Sequence, residues 1–354
     1  MSKRIFIPVV GEFANVGDVM HRNELLKWLK SCGDLHVYVG HAPEDFVQGL
    51  ELPSSAVIYT SIVKWLFALF FSPFGRTHFV FNSGELTVSN RRLLMEIILF
   101  PFLLVTKLKG GRILRIGVAA ASNVQVSFKW LWRRLFKSSS LIMWRTSVSR
   151  DFFGLGEVIP DLAFAGREPL DYACSVEVQR RKNLIISMRW DRPYPNNEWL
   201  KAVKDFASNR DLKILVVSQV RKDNPTCVQL SSDLRGDCIL WDESVSHLAQ
   251  EEHLRVIYKD SLLTVSDRLH VLIAAVTEGV LPSVILTKPS DKVQHHFDVL
   301  DIKSVSIDME MGHSELMDYL ERQVLRCNEV FEKLAHAQSA LEEAKNKVQN
   351  VLLS

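Results

Sequence analysis

Cysteine is scarce and carries no pattern. Cys32, Cys174, Cys227, Cys238 and Cys327 are odd in number and scattered over 354 residues, with no Cys-x-x-Cys or Cys/His ligand spacing. They point to neither a zinc site nor a disulfide framework and fit a reducing cytosol. Net charge is almost lacking as well, since 43 basic residues face 41 acidic ones. No global field would draw in a polyanion, so nucleic acid is not expected as a partner and any anion must be held by a few local groups. There is no unbroken apolar run of membrane-spanning length. Ser61–Phe74 contains Lys64 and Pro73, and Leu93–Val105 contains Glu96 and Pro101. Both fall short of the roughly 20 residues a span needs and read as buried helices. The start, MSKRIFIPVV, enters a strand directly without the features of a signal peptide. These absences lead to the expectation of a soluble, cytoplasmic protein.

What is present is ordinary globular composition, 47% hydrophobic and 24% charged, in a chain long enough for two cores. Short apolar strands alternate with helical patterns. Ile5–Val10, His36–Val39, Val57–Tyr59, His78–Phe81, Ile113–Ala119 and Leu141–Trp144 read as strands, with a helix carrying Leu25, Leu26 and Leu29 after the first. A polar stretch, Gly166–Arg181, reads as a linker, after which the alternation restarts. Leu184–Met188, Ile214–Val217, Cys238–Leu240, Arg255–Tyr258, Leu262–Val265, Ser283–Leu286 and Val305–Ile307 are strand candidates, with helices at Glu198–Ala207 and Val271–Val276. The fold class expected is α/β, two doubly wound Rossmann-like domains at 1–168 and 180–310. Leu316, Tyr319, Leu320, Val324, Val330, Leu334, Leu341 and Ala344 then recur at near-helical spacing, so residues 313–352 read as a packed helix or helix pair.

Four arginines follow strands, where such sheets bind ligands. Arg145 lies in Trp144–Arg150, with an ion pair to Asp161 as the structural alternative. Arg189 follows Leu184–Met188, Arg221 follows Ile214–Val217 with Gln219, and Arg268 lies in Ser266-Asp267-Arg268-Leu269-His270. A guanidinium suits carboxylate or phosphate, and an imidazole two residues on can pass a proton near neutral pH. The alternative there is Asp267 as a helix cap and Arg268 in a surface pair. The loop Gly11–Asp18 joins a strand to a helix, and its glycines permit close backbone approach. It is neither GxGxxG nor a P-loop. Asp18 there is either a cap or a residue able to accept a hydroxyl proton. Basic, aromatic Lys129–Lys137 reads as a core helix with a snorkelling edge, with a membrane-surface helix as the alternative.

In order, these stretches resemble the polysaccharide pyruvyl transferase family. The matching segments are Gly11…Asn15-Val16-Gly17-Asp18, Trp144–Ser149, Ile159-Pro160-Asp161-Leu162-Ala163-Phe164 and Ile185–Arg189. The most specific is Asp267-Arg268-Leu269-His270…Ala274-Ala275…Gly279-Val280-Leu281-Pro282. The resemblance implies a glycosyltransferase-B-like fold and transfer of pyruvyl from phosphoenolpyruvate to a sugar of a surface polysaccharide or glycolipid, forming a ketal. It implies phosphoenolpyruvate as co-substrate, no separate cofactor, no metal, and a sugar or lipid-linked oligosaccharide acceptor, with peripheral contact at the inner face of a membrane left open. Arg268, Arg189 and Arg145 would hold the donor, His270 would be the acid and Asp18 the base, with Asn15, Gly17 and Glu85 in acceptor or loop positions. Two departures stand out: Asn82-Ser83-Gly84-Glu85 replaces a glycine-rich run, and Thr146 follows Arg145 where the family has Asp. The alternatives are a nucleotide-sugar glycosyltransferase, for which Glu243 and Asp260 are the available carboxylates, and a silent glycan-binding scaffold.

Overall fold

The computed structural model describes residues 2–120, 128–166, 178–286 and 291–354. Residues 167–177 of the expected linker lie outside the described residues. The chain forms two compact units: Met1–Phe13 with Asp18–Leu162 and Ser339–Ser354, and Ala14–Gly17 with Ala163–Gln338.

In the first unit the strands are β1 (Arg4–Pro8), β2 (Asp34–Tyr38), β3 (Val57–Tyr59), β4 (Thr77–Phe81), β5 (Gly84–Leu86), β6 (Ile113–Ala120), β7 (Leu141–Trp144) and β8 (Glu157–Val158). They pair in parallel in the order β3-β2-β1-β4-β6-β7-β8, with β5 added to β6 beyond the end of β4. Burial is unbroken through β4 and most of β6 because both faces are covered, although Thr77, His78 and Arg115 interrupt the apolar residues. The helices are α1 (Val16–Leu29), α2 (Glu44–Gly49), α3 (Ile62–Phe70), α4 (Asn90–Leu108), α5 (Lys129–Lys137) and α6 (Ser147–Phe153). Ser61, Ser89 and Thr146 cap α3, α4 and α6 by accepting backbone N–H groups, the expected chemistry for these residues at helix starts. In α5, Trp132, Leu135 and Phe136 are buried while the basic residues face outward, which agrees with the core-helix reading. The expectation of buried helices at Ser61–Phe74 and Leu93–Val105 is half right. Trp65, Leu69, Leu93 and Leu103 pack inward, but the opposite faces are exposed. Glu96, which interrupts the second run, is buried against Arg115 at 2.6 Å.

The second unit has β9 (Asn183–Ser187), β10 (Lys213–Val217), β11 (Asp237–Ile239), β12 (Ser261–Ser266), β13 (Leu281–Leu286) and β14 (Ser306–Asp308). All pair in parallel in the order β11-β10-β9-β12-β13-β14. Its helices are α7 (Asn197–Asn209), α8 (Asn224–Leu234), α9 (His247–Lys259), α10 (Leu269–Val276), α11 (Asp291–Asp298) and α12 (His313–Leu325). The expected strand Arg255–Tyr258 is instead the last turn of α9. Ser246 caps that helix, and Leu254 and Tyr258 point inward four residues apart while Val256 is exposed, so helical periodicity overrides the β-propensity of a four-residue window. A last helix, α13 (Cys327–Leu353), follows α12 after Arg326. The eight apolar positions from Leu316 to Ala344 are all buried, so these helices pack as expected. The end of α13 from Ser339 on, with Ser354, belongs to the first unit. Among the described residues, no helix is long and apolar enough to cross a membrane.

Candidate functional site

A doubly wound sheet opens a crevice at its carboxyl edge where neighbouring strands send their connections to opposite sides. In the second unit that point lies between β9 and β12. The two segments leaving it are Met188-Arg189-Trp190-Asp191 and Asp267-Arg268-Leu269-His270, so Arg189, Arg268 and His270 lie at one switch point. The two strand ends are stitched together. Ser266 Oγ donates to the Ser187 carbonyl at 2.6 Å, and Asp267 Oδ1 accepts the Arg189 N–H at 2.9 Å. Asp267 therefore links strands instead of capping α10, whose N-cap is Arg268.

Arg268 is fixed by a residue that sequence reasoning missed. Asp223, in the 3-10 turn Arg221–Asp223 after β10, is buried. Arg268 donates Nε to its Oδ2 at 2.8 Å and Nη2 to its Oδ1 at 2.5 Å. Trp190 N–H adds a bond to Oδ1 at 3.1 Å. The signal in the sequence was slight: an Asp before Asn-Pro, at a helix start. Arg189 pairs with Asp191 through two bonds of 2.8 and 2.6 Å, but both side chains are about a third exposed. Such a pair is weak and open to exchange for a ligand anion. Arg221 donates to the Val245 carbonyl at 2.8 Å and lies 4.1 Å from the Trp241 ring centroid. Of the four arginines, Arg189 and Arg268 share a site, Arg221 is turned to Trp241, and Arg145 is a first-unit residue.

Burial pushes the Asp267 carboxyl up to about 6, and the backbone bond from Arg189 and the charges of Arg268 and Arg189 only partly oppose this. Its Oδ2 is buried without a hydrogen-bond partner among the described residues. The segment Ala14–Gly17 clusters with this unit. Asn15 forms an antiparallel bridge with Val220, and Gly17 rests on the His270 imidazole, where an added β-carbon would lie 2.5 Å from Cγ and Nδ1. Gly17 is required there for close approach. Asn15 Oδ1 accepts the Gly17 N–H at 2.9 Å, so the cap-like role expected as one option for Asp18 belongs to Asn15.

The corresponding point in the first unit lies between β1 and β4. Asp18, in the first turn of α1, pairs with Arg22 at 3.1 Å and with His21 Nε2 at 3.3 Å. His21 Nδ1 meets Ser83 Oγ at 2.8 Å. Arg22 Nε donates to Asn82 Oδ1 at 3.1 Å, and Asn82 Nδ2 donates to the Val10 carbonyl at 2.6 Å. Burial lowers the His21 pKa, keeping that ring neutral at neutral pH. His21 and Arg22 were missed because they carry no motif of their own; their spacing of three and four from Asp18 was the available signal. The Asn82-Ser83 departure thus has its own buried network, and Glu85 is exposed on β5. Arg145 donates Nη1 to buried Asp161 at 2.6 Å, the ion pair weighed as its structural alternative. Among the described residues, no group of three or more His, Cys, Asp or Glu is placed to hold a metal ion.

A family model described as polysaccharide pyruvyl transferase matches residues 15–284, which include both switch-point clusters. The chain belongs to that family. A comparison with curated proteins yields no match. Among solved structures, a glycosyltransferase from Rickettsia africae ESF-5 is similar at 10% identity and TM-score 0.59, covering 99% of each chain. A UDP-GlcNAc 2-epimerase from Neisseria meningitidis is similar at 10% identity and TM-score 0.58, again covering 99% of each chain. MurG from Acinetobacter baumannii is similar at 12% identity and TM-score 0.52, covering 98% of this chain and 99% of the other. At such identities these establish the fold, two Rossmann-like units of the glycosyltransferase-B type. This pyruvyl transferase family member therefore carries its most specific segment, Asp267–His270, at the switch point of its second sheet.

Proposed function

We propose that this protein transfers a pyruvyl group from phosphoenolpyruvate to two hydroxyls of a sugar, forming a ketal and releasing inorganic phosphate. The observation that carries the reading is that Arg189, Arg268 and His270 lie together at the second unit's switch point. Phosphoenolpyruvate presents a phosphate and a carboxylate a few bonds apart, and two guanidiniums match two anionic groups. Arg268, held by Asp223, is oriented before the ligand arrives, and Arg189 exchanges Asp191 for it. Arg145, a member of the donor set on the family resemblance, is committed to Asp161 and on this reading shapes the first unit.

His270 is assigned as the acid that protonates the donor methylene. The π-electrons form the new C–H bond and leave C2 electron-poor. One sugar hydroxyl attacks C2 and loses its proton to a base, the role the family resemblance gives to Asp18. A second hydroxyl then attacks C2 and displaces phosphate, closing the ketal. Phosphate leaves with the C–O electron pair and that hydroxyl's proton, and exchange with solvent resets His270 and Asp18. The charges and atoms balance without metal or redox partner. Asn15 and Gly17 shape the His270 side, and Glu85 is assigned to the acceptor on the family resemblance alone.

Of the carboxylates a nucleotide-sugar enzyme would want for ribose, Asp260 is poorly placed. Its carbonyl accepts from Lys182 and Asn183 at the start of β9, the edge opposite the site. Glu243 is exposed beside Arg221. The hydrogen-bonded Asn82 and Ser83 weigh against a decayed scaffold. The acceptor class assigned is a sugar or lipid-linked oligosaccharide of the cell envelope. The test is phosphate release from phosphoenolpyruvate with a panel of polyprenyl-linked and free glycans. Release that requires an acceptor supports the proposal, and transfer from UDP-sugars with none from phosphoenolpyruvate refutes it.

A further inference from the structure

The outward faces of α3 and α4 are unlike the surface of an ordinary amphipathic helix. On α4, Leu94, Ile97, Ile98, Leu104 and Leu108 are 42–76% exposed and follow the three-and-four spacing of one helix face. From Leu94 to Leu108 that stripe runs about 21 Å. On α3 and the turn after it, Val63, Phe67, Phe71 and Phe74 are 59–75% exposed. The two faces join. Phe70 meets Phe102 edge-on at 6.2 Å, and Lys109 donates to the Phe70 and Ser72 carbonyls while its ammonium lies 5.4 Å from the Phe74 ring centroid. A monomer in water rarely leaves so large a contiguous apolar area open.

The charges around this face identify its occupant. Lys64, Arg91, Arg92, Lys107 and Lys109 flank it. The only acid from residue 61 to 75 or from 89 to 111 is Glu96, which is buried against Arg115. Neighbouring α5 adds Lys129, Arg133, Arg134 and Lys137 with no acid, and an exposed Trp130. A second copy of the chain would bring like charges together with nothing to offset them. A surface that is apolar inside and anionic at its boundary matches on both counts. An exposed Trp such as Trp130 settles at the headgroup level, while Phe side chains insert with the apolar face.

We propose that α3, α4 and the basic edge of α5 form a monotopic docking face for an anionic phospholipid bilayer, with α4 lying in the interface plane. This goes beyond the donor reading and does not depend on it.

The test is co-sedimentation of the full chain with vesicles of equimolar phosphatidylcholine and phosphatidylglycerol, against phosphatidylcholine alone, with light scattering on the free protein. The expected result is a monomer that partitions onto anionic vesicles and is released by high salt. Removing charges (Lys64→Gln, Arg91→Gln and Lys107→Gln together) should weaken partitioning about a hundredfold, at roughly fivefold per charge. Phe67→Ser with Phe71→Ser and Leu104→Ser should abolish it. All six positions are exposed, and unchanged melting temperatures will verify folding. Failure of the folded wild-type chain to sediment with anionic vesicles overturns the proposal. So does a stable dimer dissolved by the apolar substitutions.

Discussion

Arg268 grips the buried carboxylate of Asp223 with two parallel hydrogen bonds, Nε to Oδ2 at 2.8 Å and Nη2 to Oδ1 at 2.5 Å. The pair ties β10's trailing turn to the end of β12, and Trp190 N–H on the same carboxylate adds the end of β9. Three strand ends are thus registered around one charge pair.

Removing the acceptor leaves a mostly buried guanidinium without its partner. Asp223→Ala is expected to lower stability by about 3 kcal/mol, read from the urea midpoint at constant m. Arg268→Lys keeps the charge but not the fork, so donor affinity should fall at least about tenfold with stability less affected.

Gly17 touches the His270 ring where a methyl group has no room. Gly17→Ala must displace the imidazole, and a small misplacement of a catalytic group costs about a hundredfold. The expected variant retains its melting temperature within a few degrees and loses about two orders of magnitude in kcat.

Asp267 titrates at about 6 against an ordinary 3.8, chiefly because burial disfavours its anion. The folded state binds this proton more tightly than the unfolded chain does. The stability linked to it is complete below about pH 4 and lost as pH climbs through 6. Asp267→Asn should flatten this part of the stability–pH curve, by about 2–3 kcal/mol between pH 4 and 7. Thermal denaturation of both proteins across that range measures it.

The Glu96–Arg115 pair is buried on both sides, and the Arg115 guanidinium carbon lies 3.4 Å from the Phe81 ring centroid and 4.5 Å from that of Phe136. Glu96→Ala should cost about 3–5 kcal/mol, while Glu96→Leu combined with Arg115→Met should recover most of it. Denaturant unfolding checks both.

The strands were legible because parallel strands buried on both faces leave unbroken apolar runs, such as Leu184–Ile186 and Ile214–Val217. Arg255–Tyr258 misled because four β-prone residues hide a helical turn whose neighbours decide its state. The strand-end residues Arg189, Arg268 and His270 could be placed near a site from chain order alone. Asp223, His21 and Arg22 could not. Their partners lie between 3 and 62 residues away in sequence, and the long-range pairings leave no local pattern. The open faces of α3 and α4 were hidden for a related reason, since an apolar run does not say which of its sides a core covers.

The central claim is that Arg268 and His270 hold phosphoenolpyruvate, and isothermal titration calorimetry of the full chain tests it most directly. Wild type should bind one phosphoenolpyruvate per chain, with affinity reduced about a hundredfold in Arg268→Ala and clearly weakened in His270→Ala. Equal affinity in all three proteins, or binding of a UDP-sugar with none of phosphoenolpyruvate, would contradict the account.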